Sequence, residues 1–426
     1  MRDIQQEKPH ELSLKANVLW NSTGSMFYLG CQWLVTVLVV RLSSGFDDAG
    51  LLSLAMSVVG IFGTFANYKM GTYQISDIHH ENTLAEYLAF RCVTLALSFL
   101  ACLLYAIATC PLHAIFTVML FYLYKSVGLL IDILHGTDQQ HRRMDYIGKS
   151  FILQGMASIV SFTIVFYPTQ NLNLAILAMT AGVLLVFTAF DMRKTRQFEP
   201  ISLHITRKKI IFFLKTSLPA VIASVAASAI FTIPKQYLSL VSGDAALGIY
   251  SSVAAPALVV QMGAVYLYGP LLDIFPKHYF DGDIADFIKL LIRTVLSIIG
   301  TTIACWIVLL FAGEPLLVLL FGSEIVEHVY LLHPVLIATS ATAFLWFFGD
   351  LLIALRNFKA NLVGNIVALV AAIPLSIICV NIWGMNGVSF ASIGACAAGV
   401  LHLSIALGFA IRKRLIEKPS QETDHE

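Results

Sequence analysis

Apolar residues run along this chain in long unbroken stretches, and polar residues gather in the short intervals between them. Short alternating strands, the pattern of a closed barrel, are not what these stretches show. A bilayer core is crossed by about 20 mostly apolar helical residues. Twelve runs reach that length, at about 17–40, 50–66, 87–108, 112–134, 147–167, 172–190, 210–233, 247–276, 290–312, 329–355, 361–383 and 387–411. The pattern predicts an all-α polytopic membrane protein. An even number of crossings puts both termini on one side.

Lysine and arginine decide which side that is. Of the 27 Lys and Arg, twenty-one fall in the termini and alternate loops: Arg2, Lys8, Lys15, Lys69, Arg142, Arg143, Lys149, Arg193, Lys194, Arg196, Arg207, Lys208, Lys209, Lys277, Lys289, Arg356, Lys359, Arg412, Lys413, Arg414 and Lys418. The opposite loops hold Arg41 and Lys235 alone, and four more, Arg91, Lys125, Lys215 and Arg293, lie within spans. Both termini are therefore expected in the cytoplasm. The polar, acid-bearing first sixteen residues have no small-residue cleavage site behind them, so the first span reads as a retained anchor.

Composition agrees. The chain of 426 residues is 58% hydrophobic and 12% charged, with mean hydropathy +0.79, against about 45–50% and about 25% in soluble domains. A cytosolic enzyme, a nucleic-acid module and a secreted disulfide scaffold are excluded. The net charge of +1 points to no partner. The seven cysteines fall almost wholly inside apolar runs, without CxxC or Cys/His spacing, and read as small packing residues. No metal or cofactor is expected.

The chain echoes itself. Asp48-Ala49-Gly50 opens the second span and Ala246-Leu247-Gly248 the eighth. Ala85-Glu86-Tyr87 precedes the third and Ala285-Asp286-Phe287 the ninth, each followed by an arginine, Arg91 and Arg293. Asp132 ends the fourth span, with Ile147-Gly148-Lys149 after it, and Asp350 ends the tenth, with Val363-Gly364-Asn365 after it. The offset rises from about 200 to about 217 because the loop at 109–111 has a longer counterpart at 313–328. Six-helix repeats in parallel imply two pseudo-symmetric lobes, 1–190 and 210–411, around a central cleft. A basic linker at 191–209 joins them, and 412–426 form a cytoplasmic tail.

Lys125 is the most informative residue, because it lies near the middle of the fourth span. A charge at that depth costs about 2.5–3.5 kcal/mol on insertion scales unless it meets protein or water. Asp132, seven residues on, shares its helix face. Together they can line a polar cleft, the lysine meeting an anion and the acid exchanging a coupling ion. The plainer account is a snorkelling lysine and a solvated Asp132. Arg91, Lys215 and Arg293 sit within about two turns of cytoplasmic helix starts, where snorkelling also serves. Asp350 and Arg356 flank the end of span ten. Arg41 and Lys235 either receive an anion on the outer side or simply mark the interface. Pro219, Pro234, Pro256, Pro270 and Pro276 are ordinary kinks or hinges of a bending lobe. Asn17, Asn21 and Ser22 suit helix packing. No glycine-rich phosphate loop, HExxH or GxSxG occurs; His113, His333 and His402 lack ligand spacing, and His79-His80 lies in an inward loop. Nothing marks an enzyme.

Three stretches carry a family likeness: Gly71-Thr72-Tyr73-Gln74-Ile75-Ser76-Asp77; Asp132-Ile133-Leu134-His135-Gly136 through Arg142-Arg143-Met144-Asp145-Tyr146-Ile147-Gly148; and Trp383-Gly384-Met385-Asn386-Gly387. They resemble bacterial polysaccharide flippases, the O-antigen and capsule repeat-unit exporters of the multidrug/oligosaccharidyl-lipid/polysaccharide (MOP) superfamily, over nearly the whole chain. The resemblance implies a V-shaped carrier in the inner membrane. Its substrate would be an undecaprenyl-diphosphate-linked oligosaccharide, moved from the inner to the outer leaflet by alternating access. It implies a cationic cleft, with Lys125 as the main cation and Arg91 and Arg293 second to it. Arg41 and Lys235 would guard the outer mouth, and Asp132 and Asp350 are the candidates for coupling to a proton or sodium ion. Membrane lipids are the expected surroundings, no nucleic acid is a partner, and a monomer is the simplest working unit. The alternative is a cation-coupled multidrug or metabolite exporter of the same superfamily, which would need a carboxylate in its cleft. A polysaccharide polymerase or glycosyltransferase would need larger loops than these.

Overall fold

The structure, a computed structural model, describes residues 11–77, 81–257, 268–272 and 274–417. Arg2, Lys8, the pair His79-His80 and Lys418 lie outside the described residues, as does 258–267 of the expected eighth span. Among the described residues all regular structure is helical, and the chain divides into two compact units, 1–225 and 226–426. The expected all-α polytopic architecture is the one observed.

The first unit contains α1 (Leu14–Leu42), α2 (Asp47–Asn67), the short α3 (Met70–Ser76), α4 (Leu84–Thr109), α5 (Leu112–Gln140), α6 (Met144–Thr169) and α7 (Leu172–Val186). A π-helical turn, Phe187–Asp191, then leads into α8 (Met192–Thr195). The boundary between units falls within α9 (Arg207–Ala254). The second unit continues with α10 (Phe275–Phe280), α11 (Ile284–Phe321), a 3-10 stretch (Ser323–Leu331), α12 (Leu332–Ala354), α13 (Phe358–Trp383) and α14 (Met385–Glu417). Among the described residues eleven helical segments are long and apolar enough to span a membrane. The first six and last four coincide with expected spans; the seventh and the start of the eighth are merged in α9. That helix bends at Gly243, whose φ of 83° carries no Cβ penalty in glycine. Pro219 and Pro234 sit in α9 without breaking it.

Helix ends follow local chemistry. Thr83 and Glu86 cap α4 reciprocally, Glu86 N–H donating to Thr83 Oγ1 and Thr83 N–H to Glu86 Oε2 at 3.1 Å. Asn171 and Asn357 cap α7 and α13 by accepting from the backbone three residues on. The presumed loop at 313–328 is largely ordered: α11 continues through Pro315 to Phe321, because 316–321 are all apolar, and stops at Gly322 with φ 96°.

α1 and α6 pack closely. A Cβ at Gly24 would stand 2.5 Å from Gly148 Cα, so only the absence of side chains lets the two backbones approach. Asn17 pins the same pair, donating to Leu12 O at 3.0 Å and accepting from Met144 N–H at 2.8 Å. Outward residues such as Leu100, Leu104 and Ile107 on α4 are exposed and apolar, as lipid contact demands.

Burial reveals the register of the repeat. Leu84, Tyr87, Thr94 and Ser98 on α4 are buried, as are Ile284, Phe287, Thr294 and Ile298 on α11, each 200 residues later. Tyr68 and Tyr268 share that offset. The partner of Arg91 is therefore Leu291, which packs on the core of the second unit. Arg293 lies two residues on, about 200° around the helix, and is exposed. The match of Arg91 with Arg293 drawn from sequence spacing was a near miss. On α5 and α12 the buried positions run at an offset of 218: Val118 and Leu336, Val127 and Leu345, Leu129 and Phe347, Ile133 and Leu351. Asp132 and Asp350 do correspond.

Candidate functional site

The polar centre of the first unit is built on one stripe of α5. Lys125, Gly128, Leu129, Asp132 and His135 recur at helical spacing and face a cavity of about 160 Å³. Tyr28 from α1, Asn67 from α2, Phe151 and Gln154 from α6 and Val183 from α7 complete its wall. Tyr124 ties three of these helices together, its hydroxyl accepting from Gln32 Nε2 at 2.8 Å and meeting Ser158 Oγ at 3.0 Å.

Lys125 is exposed towards this space, with its stem beside Gly63, where an added Cβ would touch Lys125 Cγ at 3.7 Å. Among the described residues no carboxylate lies within ion-pair distance of Lys125. Asp132 is already engaged. Arg91, fully buried on α4, donates from Nη2 to Asp132 Oδ2 at 3.1 Å, from both terminal nitrogens to Asn67 Oδ1 at 3.2 Å, and from Nη1 to Ala66 O at 3.3 Å. The acid side chain is 46% exposed. Of the predicted residues, the structure thus brings Lys125, Asp132 and Arg91 together, with the arginine behind the cavity wall.

The others are not among the residues that line this cavity. Arg41, exposed, occupies the last turn of α1. Lys235 is half-buried in α9, and Arg293 is exposed on α11. Asp350 accepts from Tyr268 Oη at 3.1 Å, and among the described residues no ion pair joins it to Arg293.

Two recognised stretches meet in space. Gly71 faces Asp132 at 3.2 Å from an added Cβ, and Gly136 leaves room for Gln74, which donates to Ile133 O at 3.1 Å and Thr137 Oγ1 at 3.0 Å. Asp77 organises the following turn, accepting from Glu81 N–H, from Asn82 N–H and its side chain, and from Tyr87 Oη at 2.8 Å. Burial pushes its carboxyl up, but these donors outweigh burial and hold it below the ordinary carboxylate value. The segment 191–209 is held within the first unit: Lys209 Nζ pairs with Glu86 Oε2 at 2.6 Å, and Leu84 N–H donates to Glu199 Oε2 at 2.9 Å.

Sequence spacing missed a buried trio behind His135. His135 Nε2 lies 3.3 Å from Asp191 Oδ1, and Thr195 Oγ1 donates to Asp138 Oδ1 at 3.1 Å. Asp132, His135 and Asp138 recur every third residue on α5, which was the available signal; Asp191 reaches them only through the π turn. Elsewhere, His278, Asp283 and Asp286 bring three ligand atoms within 4.8 Å of one another, and both acids are exposed.

The structure presents a many-helix fold of long apolar spans with a lysine on the wall of a cavity in its first unit. This fold matches solved transporter structures. It aligns with the lipid II flippase MurJ in an inward closed conformation at TM-score 0.72 and 12% identity, covering 94% of this chain and 90% of the other. It aligns with a multidrug resistance MATE family transporter of the MOP superfamily, inward-facing, at TM-score 0.69 and 12% identity, covering 93% and 99%. Residues 14–272 match the family described as polysaccharide biosynthesis protein. A capsular polysaccharide biosynthesis protein, CapF of Staphylococcus aureus, is 25% identical over 366 residues, covering 84% of this chain and 90% of its own. The chain belongs to the polysaccharide biosynthesis protein family.

Proposed function

We propose that this protein moves an undecaprenyl-diphosphate-linked oligosaccharide repeat unit across the bacterial cytoplasmic membrane by alternating access, for surface polysaccharide synthesis. The observation that carries the reading is the unpaired Lys125 on the cavity wall. A cation at bilayer depth without a partner is costly and is stabilised when a diphosphate arrives, because charge-assisted contacts are strongest away from bulk water. Sugars that hydrocarbon excludes gain a wet path, while the polyprenyl tail stays in lipid. The family match and the capsular relative support a polysaccharide substrate.

In the same reading both termini are cytoplasmic, and 191–209 joins six-helix halves at 1–190 and 210–411. A cation exporter is disfavoured, since Asp132, the carboxylate lining the cavity, is held by Arg91. The chemistry is carriage without bond-making.

The test is complementation. In cells lacking their own repeat-unit flippase, the wild-type chain restores surface glycan, and Lys125→Ala does not, although its level in the membrane is unchanged. Normal export by Lys125→Ala, or drug resistance without glycan, overturns the proposal.

A further inference from the structure

The trio behind His135 has chemistry that the cavity alone does not use. Asp138 and Asp191 are each 1% exposed, and one oxygen of each, Oδ2, is sealed from water with no hydrogen-bond partner. A carboxylate oxygen in that state is costly unless it carries a proton or meets an ion. The space favours the proton. His135 touches Asp191 directly, Thr195 already occupies Asp138 Oδ1, and the cavity stops at His135 without reaching either acid. A hydrated metal ion has no place there, whereas a proton takes up no volume.

The fold goes to some trouble to hold this arrangement. His135 and Asp138 stand three residues apart on one face of α5. The π turn Phe187–Asp191 adds a residue to the end of α7 and brings Asp191 round to meet them. The ring of Phe151 closes edge-on against His135 at 5.1 Å. Charged groups lie on several elements of the first unit around the trio. On α5 these are Lys125, Asp132 and His141. On α4 there is Arg91, bound to Asp132. On α6 Asp145 is paired with Lys149 and with Arg143, which precedes the helix. Arg193 and Lys194 follow on α8. Most of these carboxylates and cations answer one another, and the two Oδ2 atoms do not.

We propose that His135, Asp138 and Asp191 form a proton-binding site, reached through the Lys125 cavity by way of His135, whose occupancy is coupled to transport. A hydronium ion in the cavity gives its proton to the trio; a carboxylate becomes a carboxylic acid, and one water is left behind. The added O–H is a donor where none existed, and one negative charge disappears beside the cavity that holds Lys125. The coupling to transport rests on the function proposed above; the proton site itself does not.

Infrared difference spectra of the purified full chain, taken on a pH step between about pH 5 and about pH 8, read the site without substrate. The wild type shows the carbonyl band of a buried carboxylic acid. Asp138→Asn and Asp191→Asn each lose or halve it, Thr195→Val moves its midpoint, and Asp132→Asn keeps it. If an asparagine variant fails to fold, Thr195→Val still decides. No wild-type band, a band undiminished in both asparagine variants, or a midpoint unmoved in Thr195→Val overturns the site. Coupling is read separately, with undecaprenyl diphosphate in lipid nanodiscs as the probe. Asp138→Asn and Asp191→Asn bind it like the wild type yet lose glycan export, and Lys125→Ala loses both. Export by the asparagine variants at the wild-type level overturns the coupling. Failure of the wild type to bind the probe overturns the proposed function and leaves the infrared result standing.

Discussion

Asp132→Asn is the sharpest probe of how the cavity is wired. The substitution keeps the shape of the side chain and removes its charge. Arg91 then retains Asn67 and Ala66 O but loses its charged partner at 3.1 Å, with its guanidinium still wholly buried. Stripping one member from a buried ion pair costs about 3–5 kcal/mol, while exposed pairs are worth about 0–1 kcal/mol. With the acid 46% exposed, the expected loss falls between these limits, at about 2 kcal/mol. For a unit of this size that lowers the melting temperature by about 4–8 °C. Arg91→Met removes the buried charge itself and leaves Asp132 to water, so Asp132→Asn should cost almost nothing in that background. Thermal unfolding of the four purified proteins in detergent gives the coupling directly, expected at about 2 kcal/mol. Equal costs of Asp132→Asn with and without Arg91 would refute the claim that this pair holds the cavity acid.

Three further outcomes follow from single contacts. Gly24→Ala places a methyl against Gly148 Cα at 2.5 Å and should cost about 1–3 kcal/mol by overpacking, seen as a lower melting temperature; an unchanged value would mean that α1 and α6 do not meet there. Asp77 has its carboxyl held low by its donors, so its contribution is complete above the unfolded value of about 3.9 and is lost as pH falls through the lower folded value. Hydrogen exchange at the Glu81 and Asn82 amides should quicken below about pH 4, and in Asp77→Asn that acid step should vanish. Asn17→Ala removes the link from α1 to Met144 N–H and should cost about 1 kcal/mol, measured as a small drop in melting temperature.

Much of the molecule is legible in its sequence, because bilayer length and helix period are constraints that a single chain displays. The runs at 17–40 and 112–134 extend into α1 and α5 by a few residues only, since polar ends such as Lys15 and Gln140 can still be helical. Lys125 and Asp132 read correctly as one face, a consequence of their sevenfold spacing. Arg91 did not show its burial, because the atoms that accept its protons belong to Ala66 and Asn67 on another helix. The trio was hidden for a related reason. His135 and Asp138 are close in sequence, but Asp191 joins them only because the end of α7 is π-helical, and no hydrophobic period encodes that turn.

The two units have kept a common packing plan and diverged in chemistry. At the offsets fixed by burial, Tyr87 corresponds to Phe287, Thr94 to Thr294 and Leu129 to Phe347, and all six are buried. The polar positions differ. Arg91 is replaced by Leu291, Lys125 by the buried Ala343 and His135 by Ile353, while Asp350, the surviving acid, takes a hydroxyl from Tyr268 where Asp132 takes a guanidinium. A tyrosine donor is neutral, whereas the arginine brings a positive charge to Asp132. In the first unit Arg91 engages Asp132 at 3.1 Å, and Lys125 on the same stripe of α5 has no carboxylate within ion-pair distance among the described residues. The cationic character of the cavity thus depends on a residue that does not line it.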